Sequence, residues 1–190
     1  MELDVIFIAG PQGSGKGTQG RKLAEKLDFL FWEMGATLRT ILKTDTPLAK
    51  KITAMNHGTL LSDELIIEVL KDQLPSIPRD RGIIFDGVPR RLGQGEFLVD
   101  YWREHGKPRM ATIFIDVPRE ECMRRLLLRA QHESRVDDTP EAIAQRFRDG
   151  DLAMKPAMDY LRQETKFTTV DGNVTPDEVA ASINKALGIH

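Results

Sequence analysis

The sequence holds a single cysteine, Cys122, in 190 residues. No disulfide can close within one such chain, and no metal site built on several cysteines can form. That usage fits a reducing compartment, so a cytoplasmic location is expected. No run approaches the roughly 18 apolar residues that cross a membrane, so no membrane partner is expected. The start, Met1-Glu2-Leu3-Asp4, has no basic segment followed by a long apolar stretch, and no signal peptide is expected. Net charge is only −2, without the basic excess of a broad nucleic-acid footprint, so no nucleic-acid partner is expected. Low-complexity tracts and repeats of 20–50 residues are absent as well.

What is there suits one globular domain: 41% hydrophobic and 29% charged residues. Of the 27 basic residues, 16 are arginine, whose planar fork matches phosphate better than an ammonium does. Many of these arginines are simply solvated surface, and the question is whether some converge.

Apolar strand-like runs alternate with helical patterns. Strands are expected at Val5–Ala9, Gly82–Phe85, Ala111–Asp116 and Lys166–Val170, with a short one near Phe29–Glu33. Continuous runs such as "VIFIA" and "TIFID" suit strands covered on both faces, as in a parallel sheet. Helices are expected over Lys16–Leu27, Asp63–Leu74 behind a Ser62 cap, and Pro118–Ala130. Another starts at Thr139-Pro140-Glu141 and should kink or break at Pro156. The last has a capping box at Thr175–Glu178 and ends at Gly188. The order predicts an α/β fold with right-handed crossovers. Two segments fit the alternation poorly, Glu33–Leu61 and Gln131–Asp138; they read equally as mobile covers over a site or as plain surface loops.

Directly after "VIFIA" comes "GPQGSGKGTQ", Gly10–Gln19. A loop between a buried strand and a helix aims backbone N–H groups at one spot, where the helix N-terminus adds positive charge. Gly10, Gly13, Gly15 and Gly17 permit close backbone approach, and Lys16 supplies a point charge. The usual phosphate-loop pattern places Ser or Thr directly after the lysine; here Gly17 stands there and Thr18 follows. A second anchor is "IIFDGVPRR", Ile83–Arg91. Asp86 at a strand's carboxyl end suits magnesium and its waters, although such an aspartate can equally cap the next helix. Arg90 would face the same crevice.

These residues resemble the adenylate kinase family of nucleoside monophosphate kinases. "GPQGSGKGTQ" resembles its phosphate loop, "DGVPRRLGQ" its D-G-[FY]-P-R-x-x-x-Q motif, and "SRVDD", Ser134–Asp138, its lid motif. The likeness runs in order from Val5 to Leu187. It implies a P-loop NTPase-type parallel five-stranded sheet flanked by helices. The core would span 1–32, 62–130 and 139–190, with a helical monophosphate-binding lobe at 33–61 and a short lid at 131–138. It also implies reversible transfer of the γ-phosphoryl group of Mg·ATP to a nucleoside monophosphate. For ATP it points to Gly13, Ser14, Gly15, Lys16, Gly17, Thr18, Arg129 and Val174. For the monophosphate it points to Met34, Gly35, Arg39, Thr59, Leu60, Leu61, Gly87, Val88, Arg90, Gln94, Arg135 and Arg146. The catalytic set would be Lys16, Arg90, Arg125, Arg129, Arg135 and Arg146, with Mg2+ at Asp86 and Thr18 through water. Arg125 and Arg129, four apart, share a helix face. Some longer-lid relatives carry zinc; with no cysteine in this lid, none is expected. A monomer is expected. His57, His105, His132 and His190 form no catalytic grouping and read as surface.

The chain also departs from the family pattern. Where "HISTGDLLR" is typical, it has "FWEMGATLR", so Glu33 replaces a serine, Met34 a threonine and Ala36 an aspartate. Val88 stands for an aromatic and Ser134 for a glycine. Glu33 is a candidate stand-in for the carboxylate that Ala36 lacks. Gln94 argues for AMP, because an amide offers one donor and one acceptor to the adenine edge. The expected reaction is ATP plus AMP to two ADP. The alternatives are a UMP/CMP or broad-specificity kinase and, in another class, a non-catalytic nucleotide-binding module. A GTPase-like switch is disfavoured, since "NKAL" at Asn184–Leu187 lacks the aspartate of the guanine motif.

Overall fold

The computed structural model describes residues 3–55, 61–133 and 140–189. Five strands form one parallel sheet: β1 (Val5–Ala9), β2 (Leu30–Glu33), β3 (Ile83–Asp86), β4 (Met110–Asp116) and β5 (Lys166–Asp171). Their order is β2-β3-β1-β4-β5, so β1 is central. The chain goes outward from β1 to β2, returns through β3, then crosses to β4 and β5. The strand order reverses at β1, and in open α/β sheets the crevice at such a switch point takes the ligand.

The unbroken apolar strands follow from cover on both faces. Val5, Phe7 and Ala9 point into one buried cluster, and Ile6 and Ile8 into the other. The second cluster also takes Leu23 and Ala24 of α1 (Lys16–Leu27) and Val179, Ile183 and Leu187 of α8 (Pro176–Leu187). The first is packed by α4 (Asp63–Gln73), α5 (Leu92–Glu104) and α7 (Pro140–Glu164). Its centre is aromatic: the Phe85 ring lies 5.8 Å from Phe7, 5.4 Å from Trp32 and 6.0 Å from Trp102. Trp102 is fully buried.

Helix starts and stops follow the local signals. Ser62 caps α4 by accepting from Leu65 N–H. Thr175 and Glu178 close a reciprocal capping box on α8, and Gly188 ends it in the left-handed region. The expected helix Asp63–Leu74 ends its α-helical part at Gln73, and Leu74–Ser76 forms a 3-10 turn. The segment after β2 is helical, with α2 (Met34–Ile41) and α3 (Pro47–Met55).

Three expectations need correction. α6 spans Arg119–Glu133, so it starts one residue later than expected and runs on through 131–133, the start of the supposed lid. Pro156 does not break its helix, because α7 is continuous from Pro140 to Glu164. Proline removes one N–H and crowds the preceding turn. Here Ala157, Met158 and Leu161, all buried directly after it, pin that stretch into the core. His105 is also not plain surface: it is half-buried, and its ring stacks on Tyr101 at 4.1 Å.

Phe85→Ala removes the ring on which Phe7, Trp32 and Trp102 converge, one residue before Asp86. Urea unfolding should show a loss of about 3–5 kcal/mol.

Candidate active site

The loop after β1 sits at the switch point. Gly10 and Gly13 have φ of 135° and 83°, a region that strongly favours glycine. A Cβ on Gly10 would strike the Ile115 carbonyl oxygen at the end of β4. One on Gly13 would lie 2.6 Å from the Cys122 carbonyl oxygen in α6. The loop therefore lies flat on the backbone of its neighbours. Gly15 is the N-cap of α1; no side chain caps that end and its first turn holds no acid. The resulting N-terminal N–H groups and helix dipole favour an anion. Lys16 curls back over the loop, its Nζ donating to the carbonyls of Gly10 at 2.9 Å and Pro11 at 2.6 Å. Ser14 is buried in the loop and Thr18 is exposed on α1.

Asp86 ends β3 beside this loop. Parallel pairing sets it level with Ile8 of β1 and Glu33 of β2. A Cβ on Gly17 would come within 3.3 Å of its Oδ2, which measures how close the carboxylate lies to the start of α1. Asp86 is 8% exposed. Burial pushes its carboxyl above the usual range, and Glu33 adds to this; Lys16, Arg90 and Arg21 pull the other way and lose. A hard carboxylate oxygen that burial leaves poorly solvated, with a second carboxylate nearby, fits a hydrated magnesium ion, which would relieve that charge.

Glu33 carries a bridge. Its carboxylate takes Arg21 at 2.7 Å and Arg39 at 3.2 Å. Arg39 is on α2, and its side chain is 56% exposed. Gly35 lies beneath both groups: a Cβ there would be 3.2 Å from the Arg39 guanidinium and 3.4 Å from Glu33 Oε1. Met34, a buried residue, packs on Gly87, where an added Cβ would be 3.4 Å from Met34 Cβ. Val88 is buried and Leu61 packs against the same cluster. Arg90 Nε donates to the Gly87 carbonyl at 3.1 Å. Gln94, at the start of α5, accepts from the Arg90 backbone N–H at 2.8 Å and donates to Asp63 at 2.7 Å.

Arg125 is fixed on the other flank. It donates to Glu121 Oε1 at 2.7 Å and to the Gly172 carbonyl at 3.0 Å, joining α6 to the loop after β5. Arg124 and Arg125 together pull the Glu121 carboxyl down to about 2. Arg124, read from the sequence as solvated, is indeed 62% exposed. Val174 is exposed on the same loop as Gly172. Arg129 and Arg146 are carried by α6 and α7; their side chains, and Thr59, Leu60, Ser134 and Arg135 altogether, lie outside the described residues.

The fold thus brings Lys16, Gly17, Asp86 and Arg90 together, with Arg39 held by Glu33 on the next strand, while Arg125 is tied instead to Glu121 and the loop after β5. Two residues near this group were not expected from the sequence. Arg21 looks like any helix-surface arginine, and only the strand register that brings Glu33 alongside reveals it. Asp63 looks like an ordinary first-turn acid, and nothing local links it to Gln94.

Asp86→Asn makes a pH prediction. An acid whose folded value is raised binds protons more readily when folded, so its charge lowers stability as pH rises through that folded value. Removing the charge should raise the thermal midpoint at pH 7, and the gain should vanish below about pH 4, where the unfolded chain is protonated too.

Comparison with known proteins finds one family along almost the whole chain. A family model described as adenylate kinase matches residues 8–166. The adenylate kinase of Thermus thermophilus is 39% identical over 186 residues, 97% of each chain. That of Phocaeicola vulgatus is 37% identical over 183 residues, 96% of this chain and 97% of its own. That of Cyanothece sp. is 35% identical over 179 residues, 94% of this chain and 92% of its own. With a phosphate loop at the switch point, a buried aspartate beside it and this similarity along almost its whole length, the chain belongs to the adenylate kinase family.

Proposed function

We propose that the protein catalyses reversible transfer of the ATP γ-phosphoryl group to AMP, giving two ADP. The observation that carries this reading is the convergence of cations on one buried carboxylate: Lys16, Arg90 and Arg21 all act on Asp86, and Arg39 is held by Glu33, level with Asp86 on the next strand. Such a cluster can serve two phosphates brought together. The adenylate kinase relatives supply the two nucleotides.

The chemistry asks for positioning and neutralisation of charge rather than a covalent intermediate. The attacking oxygen of AMP is already anionic, so no general base is needed. Lys16 and the loop N–H groups would hold the β- and γ-phosphates of ATP. Arg39 and Arg90 would hold the phosphate of AMP, with Gly35, Gly87, Val88 and Met34 beside its nucleoside and Gln94 reading the base. Arg125 and Arg129 would approach from α6, and Arg135 and Arg146 would reach the transferred group from the lid and α7. Val174 would border the ATP base. Asp86 and Thr18 would hold Mg2+ through water; when bound, the ion neutralises charge on the phosphate oxygens.

Arg39 and Glu33 form an exposed pair, and such a pair contributes no more than about 1 kcal/mol. Arg39 can therefore exchange that carboxylate for a phosphate dianion at small cost. Closure of the lobe at 33–61 and the lid at 131–138 would exclude water, which otherwise would accept the phosphoryl group. The proposed setting is the cytoplasm and the proposed active unit a monomer.

The test is product analysis with Mg·ATP and each of AMP, GMP, CMP, UMP and dTMP, with a no-acceptor control. Two ADP per AMP, lost by about a thousandfold in Lys16→Ala, is the expected result. Preferential transfer to CMP or UMP would reassign the acceptor. ATP binding without transfer to any of the five would make the protein a nucleotide-binding module.

A further inference from the structure

The amide of Gln94 is locked in one orientation. Its oxygen faces the Arg90 backbone N–H at 2.8 Å, and its nitrogen faces Asp63 Oδ1 at 2.7 Å. Both partners are one-way: a peptide N–H only donates and a carboxylate only accepts. A flipped amide would put two donors together at Arg90 and two acceptors together at Asp63. Gln94 is also 3% exposed, so packing opposes free rotation.

This lock leaves a defined remainder. Oε1 has spent one of its two lone pairs and Nε2 one of its two hydrogens. One acceptor and one donor remain, and they cannot change places while both partners hold. An adenine edge offers an acceptor at N1 and a donor at its 6-amino group, which the remainder matches. A 6-oxo purine offers the reverse, a donor at N1 and an acceptor at O6. It could pair with Gln94 only after a flip.

We propose that Asp63 is a positioning residue for acceptor specificity: by holding Gln94 Nε2 it makes the site select a 6-amino purine over a 6-oxo purine. The inference rests on the reading that Gln94 meets the acceptor base. It assigns the selection to a carboxylate on a different helix, α4, which never meets the base itself.

Helix α4 does not need Asp63 in order to form. Ser62 caps it, accepting from Leu65 N–H at 3.3 Å, and Glu64 supplies a second acid in its first turn. Arg91 also lies near Asp63, its Nε 3.9 Å from the same Oδ1, within ion-pair reach but beyond hydrogen-bond distance. The hydrogen bond to Gln94 is thus the close polar contact of this Oδ1.

The experiment compares AMP with IMP, which differ at the purine 6-position and share ribose and phosphate. Both are assayed as acceptors, with Mg·ATP, for the wild type, Asp63→Asn, Asp63→Glu and Gln94→Ala. Asparagine can either donate or accept, so Asp63→Asn removes one of the two barriers to the flip. The AMP-over-IMP ratio of kcat/KM should then fall about fivefold, through a higher KM for AMP and a lower one for IMP. Asp63→Glu keeps an acceptor-only group and should retain more of the preference than Asp63→Asn. KM for ATP should not move. Partial unfolding cannot mimic this result, because both acceptors sample the same folded population. If Gln94→Ala loses the preference while Asp63→Asn keeps the wild-type ratio, the proposal is overturned and the place of Gln94 stands. If neither variant shifts the ratio, the place of Gln94 is wrong and the proposal falls with it.

Discussion

The site depends on a backbone seated directly on backbone. The phosphate loop can lie flat because Gly10 and Gly13 have no Cβ to strike Ile115 at the end of β4 and Cys122 in α6. That seat fixes the start of α1, and with it the direction of the helix dipole and the reach of Lys16. It also couples the loop to both sides of the switch point, since β1 pairs with β3 on one flank and β4 on the other. A loop standing further off its neighbours would leave Asp86 without the adjacent helix end.

Above this seat the molecule concentrates charge on a rigid apolar base. Phe7, Phe85, Trp32 and Trp102 fill one face of the sheet, and the strands end in carboxylates at Glu33, Asp86 and Asp116. Cations then arrive from separate elements: Lys16 and Arg21 from α1, Arg39 from α2, Arg90 from the loop after β3. Desolvation still outweighs their pull on Asp86. The rigid part of the site thus holds an acid in an unfavourable setting. The arginine side chains at the edge, 61% exposed at Arg21 and 56% at Arg39, are solvated, so exchanging partners costs them little. Fixed strand ends with exchangeable cations suit a reaction in which negative charge must enter, move and leave.

Much of this was legible from local patterns. The helix Lys16–Leu27 has the expected bounds, and β1 and the box-capped last helix follow from an apolar run and from Thr175, Glu178 and Gly188. Lys16, Asp86 and Arg90 stand out in the sequence because their positions depend on neighbours close in sequence: a loop after a strand, an acid at a strand end. Pro156 misled because proline's local cost is real, while the burial of Ala157, Met158 and Leu161 acts from outside the segment. Arg21 was hidden for the same kind of reason, since its partner Glu33 is twelve residues away and meets it only once β2 has paired with β3.

The sequence by itself determined the glycine-rich loop after a buried strand and the acids at strand ends, and its motifs carried the family resemblance that implies the reaction. Glycine spacing, a loop lysine and strand-end acids are short-range features, and hydrophobic period alone places them on loops and strand ends. Tertiary structure alone decided which side chains share a partner: Glu33 with Arg21 and Arg39, Arg125 with Gly172, and Gln94 with Asp63, thirty-one residues apart. The physical reason is directional. A hydrogen bond needs its donor and acceptor within about 3 Å and aligned, and no local pattern encodes that distance between residues on different elements.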